Sequence, residues 1–220
     1  MTKINKKGFT LSEALITLSV IGTLALLVLP GIIKDTTNKA SIALLQGTVQ
    51  IMNEAVQNEI MRTRATNIKD TNIHNNPQKF FESLDSIKTS GSGQLNFKPA
   101  NGYKTLDGTA TSRGSGNVAA SVILRNGAGV GIQSCSGDTD SCLVAIDING
   151  NKEPNIVGVD YFELELVGKT DNKNHKHFGD LGAYPNSGSA SSVKSSCKNG
   201  NPMDCYYLLE TSGFNHNYLN

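Results

Sequence analysis

The most constraining feature of this sequence is a charge-free stretch. From Ala14 to Ile33 there are 20 residues and not one Asp, Glu, Lys or Arg. Wound as an α-helix at 1.5 Å per residue, such a segment is about 30 Å long, the thickness of a bilayer's hydrocarbon core. Lys3, Lys6 and Lys7 precede it. The excess of Lys on that side predicts a cytoplasmic N-terminal end and places the rest of the chain across the membrane. A secretory signal is the competing reading, but its apolar region is normally about 7–15 residues and ends at a small-x-small site. Here the run ends at Lys34-Asp35 instead.

One acid stands at the mouth of this run. Glu13 immediately precedes Ala14, where an unpaired carboxylate costs on the order of 2–4 kcal/mol once it enters lipid. Two readings are open. Glu13 lies in the headgroup zone and caps the helix with Ser12, or it awaits a cationic partner inside the membrane or an assembly.

The residues around it carry a resemblance. Gly8-Phe9-Thr10-Leu11-Ser12-Glu13, behind a short basic leader and ahead of an uncharged helix, resembles the N-terminus of type IV pilins and type II secretion pseudopilins. The likeness covers roughly the first 55 residues, and Gly22 and Pro30 fall where pilins commonly carry helix-softening residues. The resemblance implies a leader at 1–8 that a membrane prepilin peptidase removes after Gly8. It implies N-methylation of Phe9 and anchoring in the bacterial inner membrane as a single-pass protein. It further implies assembly with other pilin or pseudopilin subunits into a pilus or a secretion pseudopilus, with Glu13 pairing the N-terminal amine of a neighbour. Such a buried pair is costly to break, about 3–5 kcal/mol when one partner is removed. An anchored adhesion or binding protein that never polymerises is the alternative, and it would have no need of Gly8-Phe9 or Glu13.

Composition narrows the rest. The chain of 220 residues carries a formal charge of +1, and removal of three leader lysines would bring it to 1 − 3 = −2. That balance gives no general attraction to nucleic acid. A basic loop with aromatics (Lys169, Lys173, Lys176, Phe178, Tyr184) is diluted by Asp171 and Asp180 and reads as solvated surface. Twenty-two glycines and no Trp point to a loop-rich head with a modest core.

Four cysteines, Cys135, Cys142, Cys197 and Cys205, lie beyond the membrane segment, where disulfides are permitted. Three connectivities are allowed. Local pairing is expected, because each partner is near in sequence and the intervening residues form turns.

The apolar period continues past the membrane segment. Ile42, Leu45, Val49, Met52, Val56 and Ile60 are spaced 3, 4, 3, 4 and 4, one stripe on a helix. One helix is therefore expected over 9–62, with its membrane part at 14–33 and a bend at Pro30-Gly31. A head over 63–220 follows. Asn76-Pro77 predicts a capped short helix whose Phe80, Leu84 and Ile87 share a face. Val118–Leu124 and Val130–Gln133 flank an Asn126-Gly127 hairpin turn. Cys142–Ile148 and Tyr161–Val167 read as further strands, the latter with Glu163 and Glu165 on a wet face. Residues 168–198 read as a long loop, and Tyr206–Leu209 as a last edge strand. The expected fold class is α+β, a long helix packed on an antiparallel sheet.

Chemistry has few candidates. Asp147, Asn149, Asn151 and Asp160 crowd one loop with hard oxygens, and calcium binds such sets. The likeness to type II secretion pseudopilins, which hold calcium in a loop after the sheet, points the same way. The spacing departs from an EF-hand: Gly150 is fourth and no Glu stands twelfth. An Asx turn, with Asp147 and Asn149 bonding local amides, explains the same residues without a cation. His175 and His177 sit in a polar loop, while His74 and His216 stand alone. No Gly-x-Ser-x-Gly, His-Glu-x-x-His or phosphate-loop motif occurs, so the sequence offers no support for catalysis.

Overall fold

The structure, a computed structural model, describes residues 10–135, 141–169, 177–185, 188–215 and 217–218, with the side chains of Lys34 and Ser134 left out. Two compact units divide the chain, Met1–Ala40 and Ser41–Asn220.

Helix α1 runs Leu11–Thr63 and includes Pro30. In the first unit its apolar side chains stand open: Leu18, Leu26 and Leu27 are 72%, 76% and 79% exposed. The hydroxyls of the charge-free run bond the helix itself. Thr17 donates to the Glu13 and Ala14 carbonyls, Ser19 to Leu15 and Thr23 to Ser19 and Val20. Each hydroxyl is thereby satisfied without water, as a segment in hydrocarbon requires.

In the second unit α1 lays down the stripe that the spacing predicts. Leu45, Val49, Met52 and Val56 are buried, and Ile42 and Ile60 pack partly against the same core. The end of this helix is clamped by Glu59. Its carboxylate takes two nitrogens of Arg62 and the backbone N–H of Asn72, which opens α2 (Asn72–Asn75). Helix α3 (Pro77–Glu82) follows, with Pro77 in its first turn and the Asn76 side chain accepting from Lys79 N.

The strands are β1 (Ser86–Ser90), β2 (Gly93–Gln94), β3 (Tyr103–Lys104), β4 (Ala110–Thr111), β5 (Asn117–Val118), β6 (Ala120–Leu124), β7 (Gly129–Cys135), β8 (Cys142–Asp147), β9 (Tyr161–Leu166) and β10 (Leu181–Gly182). Six form one antiparallel sheet in the order β1-β6-β7-β8-β9-β10, and β2-β5 and β3-β4 are two short ladders. The architecture is α+β, a long N-terminal helix with an antiparallel sheet.

Asn126 turns the β6–β7 hairpin and ties it to α1. Its Oδ1 accepts from Ala128 N, and its Nδ2 donates to the buried Thr48 hydroxyl. On β7, Gly129 and Gly131 leave room for neighbours: a Cβ at either would collide with the ring of Phe97 or the side chain of Leu95. The bare backbone at these two positions lets that pair enter the core. Disulfides join Cys135 to Cys142, across the β7–β8 connection, and Cys197 to Cys205.

Several expectations need correction. Ile87 does not share the face of Phe80. The helix stops at Glu82, Ile87 falls on β1 and is 67% exposed, and Phe81 is the second buried ring. Val118 and Ala120 belong to different ladders rather than to one strand. Glu163 does not face water. It is buried and accepts from the Tyr161 hydroxyl at 2.7 Å and from Gln133 Nε2 at 3.3 Å. The described part of 168–198 is not all loop: it contains β10 and helix α4 (Ala190–Lys198). Residues 206–209 are not a strand but part of helix α5 (Pro202–Thr211). The missed signal is Asn201-Pro202, an N-cap residue followed by a first-turn proline, which starts a helix where the apolar run alone reads as a strand.

Candidate functional site

Two places carry the chemistry expected of this chain: the start of α1 and the loop after β8.

At the start of α1, Glu13 folds back on Thr10. Its Oε2 accepts from Thr10 N at 2.9 Å and from the Thr10 hydroxyl at 2.8 Å, while Glu13 N donates to Thr10 Oγ1 at 3.2 Å. This is a reciprocal capping box, Thr at the cap and Glu three residues on. The cap partner is thus Thr10 and not Ser12. The interaction satisfies otherwise orphaned donors at the helix start and sets a carboxylate near the positive end of the helix dipole. Glu13 itself remains exposed in the isolated chain, directly before the apolar run. Gly8 and Phe9, the cleavage and methylation residues, lie outside the described residues, as do Lys173, His175, Lys176 and His216.

In the loop after β8, Asp147 and Asp160 are both buried. Asp147 Oδ2 accepts from the Tyr103 hydroxyl at 2.6 Å and Oδ1 from Asn149 N at 3.1 Å. The Asp160 carboxylate takes two backbone N–H groups at 2.7 Å each, Oδ2 from Asn155 and Oδ1 from Ile156, and Asn149 Nδ2 approaches Oδ2 at 3.4 Å. The loop is tied to β3, with Lys104 N donating to Asn155 O and Val157 N to Lys104 O. Burial pushes the Asp147 carboxyl up to about 7, opposed by its bonds to Tyr103 and the Asn149 amide. Asp160 is raised by the same cause, and the Ile156 and Asn155 amides oppose it. Tyr103 and Tyr161 stack at 4.2 Å, and burial drives both phenols far above their ordinary range.

This donor set suits a calcium ion poorly. All four carboxylate oxygens already accept N–H or O–H groups, so positive dipoles point where a cation would sit. Asn149 turns its NH₂ toward Asp160, and Asn151 is exposed and makes none of these bonds. Among the described residues no three His, Cys, Asp or Glu groups cluster as metal ligands. Of the loop's oxygens, Asn149 Oδ1 and Asn155 Oδ1 are buried without a hydrogen bond. The arrangement is that of an Asx turn closed by an aspartate acting as an amide receptor.

The remaining candidates do not converge. His177 is exposed and its backbone N–H bonds Asp180, and His74 bonds only the neighbouring Asn75.

No curated protein and no solved structure matches the chain. Among the described residues one helix is long and apolar enough to cross a membrane. Residues 3–29, which run into the first part of that helix, match the prokaryotic N-terminal methylation motif, so the chain carries the signature of type IV pilins and pseudopilins.

Proposed function

We propose that the chain is a structural subunit of a pilin-like filament. Prepilin peptidase cuts after Gly8, the new terminus at Phe9 is methylated, and the helix Ala14–Ile33 anchors the subunit in the bacterial inner membrane. The head then lies outside the cytoplasm, and the helix passes from lipid into the filament core. Glu13 sets the register by meeting the N-terminal amine of a neighbour. One observation carries this reading: the methylation motif at 3–29 coincides with the charge-free run of α1 over 14–33, at whose entrance Glu13 stands. In a low-dielectric setting an acid at that place favours only the arrangement that brings it a cation. The capping box with Thr10 holds the carboxylate until that partner arrives.

Mass spectrometry of the native N-terminus tests the maturation step, with a chain starting at methylated Phe9 as the expected result. Glu13→Ala tests assembly: membrane insertion stays normal and filament incorporation falls at least tenfold. Unimpaired incorporation of that variant would favour an anchored adhesion or binding protein in place of a polymerising subunit. For the loop after β8 we propose that the hydrogen-bonded turn is its working form. A rise in melting temperature with excess Ca²⁺, lost in Asp147→Ala and Asp160→Ala, would return that loop to a calcium site.

A further inference from the structure

A pocket lies between α4, the start of α5 and the turn that follows β4. Its volume is about 510 Å³, within the usual size of small-ligand sites. It is an open depression lined by Ser192, Ser195 and Ser196 of α4, by Asn199 and Asn201 between the helices, by Asp204 and by Arg113. The Cys197–Cys205 disulfide ties α4 to α5, and the turn between them packs through Gly200 against Thr105. The walls are therefore held before any ligand arrives, which lowers the ordering cost of binding.

Asp204 is the informative residue. It is 2% exposed, yet its carboxylate makes no hydrogen bond among the described residues. The residue is buried, but its oxygens are not among the sealed, unpartnered polar atoms of the head; what little of Asp204 stays open lines the pocket, where a ligand could supply donors to it. Its place in the first turn of α5 sets it near the positive end of the helix dipole but does not fill its lone pairs. Asn201 uses its Oδ1 on the amides of Met203 and Asp204 and so presents its NH₂ to the pocket. Arg113 offers further N–H donors; its Nη1 is 3.8 Å from the buried Glu163, which already holds part of its charge.

This set selects one chemical class. An anion would meet the unpaired Asp204. A metal ion would meet one carboxylate among neutral hydroxyls and amides, with a guanidinium opposite. An apolar ligand would find no aromatic or large aliphatic side chain among the described lining residues. A neutral polyhydroxyl compound matches every wall, because each of its hydroxyls both donates and accepts. We infer that this pocket is a saccharide-binding site, in which Asp204 accepts from a pair of sugar hydroxyls and Arg113 and Asn201 donate to their neighbours. The inference goes beyond the filament reading and stands whether or not the subunit polymerises.

The test is calorimetry on the full chain in detergent micelles, titrated separately with glucose, galactose, mannose, N-acetylglucosamine and maltose, and with sodium sulfate and calcium chloride. At least one sugar binds with millimolar or tighter affinity. Asp204→Asn, which keeps the shape, weakens it at least tenfold. Ser195→Trp, an exposed position on α4 that fills the pocket, abolishes it with the melting temperature unchanged. The proposal is overturned if none of the five sugars binds, or if binding survives both variants. Sulfate or calcium binding that disappears in Asp204→Asn, in place of sugar binding, would overturn it equally.

Discussion

The two units of this chain handle polarity in opposite ways. In the first, residues 14–33 bond the hydroxyls of Thr17, Ser19 and Thr23 to their own helix and leave the aliphatic side chains exposed. In the second, the aliphatic side chains are buried and the difficult groups are polar: Glu59, Asp147, Asp160 and Glu163 all sit inside, each with donors brought to it. A segment of the first kind has hydrogen bonds but no apolar partner, so it needs lipid or other helices around it. A unit of the second kind buries its own apolar side chains and brings donors to most of its buried acids, so it can face water. The chain thus joins a segment suited to an apolar surrounding to a unit with its own core.

The contrast can be broken at several points. The largest effect is expected in the head's core. Phe97→Ala empties the space kept by Gly129, and the melting temperature should fall with a loss of about 3–5 kcal/mol, read by thermal denaturation. A Leu24→Lys substitution acts on the other unit alone. It should cost about 3 kcal/mol in membrane insertion, measured by carbonate extraction, and leave the melting of the head unchanged. A head destabilised by Leu24→Lys would mean that the two units are not independent.

Asp160→Ala comes next. It removes the acceptor for the Asn155 and Ile156 amides, and leaving these donors unmet should destabilise the head by about 2 kcal/mol. A smaller effect than this would show that water replaces the carboxylate.

The smallest is a pH effect at Asp147. Its folded carboxyl sits near 7 against 3.8 for an ordinary aspartate. The folded state therefore holds the proton more tightly than the unfolded chain, and stability declines as pH rises between those values. Its contribution is full below about 4 and gone above about 7. Between pH 5 and pH 7 the loss should be on the order of 1–2 kcal/mol. Asp147→Asn should flatten that slope, seen by comparing melting curves of the two proteins across the range. An unchanged slope would place the proton elsewhere.

Much of this was legible beforehand, for identifiable reasons. Local signals with a fixed offset carried well: the 3-4 stripe from Ile42 to Ile60, the Asn76-Pro77 helix start, the Asn126-Gly127 turn. Each depends on residues a turn or two apart, so the backbone alone decides it. The departures have two causes, a distant contact in one case and an overlooked local start in the other. Glu163 alternates like a surface residue, but Gln133 of β7 and Arg113 of a loop come in to cover it. Tyr206–Leu209 has the composition of a strand, and the cap at Asn201 and the tie to Cys197 make it a helix.

The sequence by itself determined the membrane-length helix, its entrance acid and the α+β class. These follow from hydrophobicity and charge counted along one chain, and they need no knowledge of what packs where. Only the tertiary structure decided which oxygens of the Asp147–Asp160 loop are already occupied, and that Asp204 is buried with no donor among the described residues. A residue's composition is written in the chain, but whether its hydrogen bonds are met depends on groups that arrive from elsewhere in the fold.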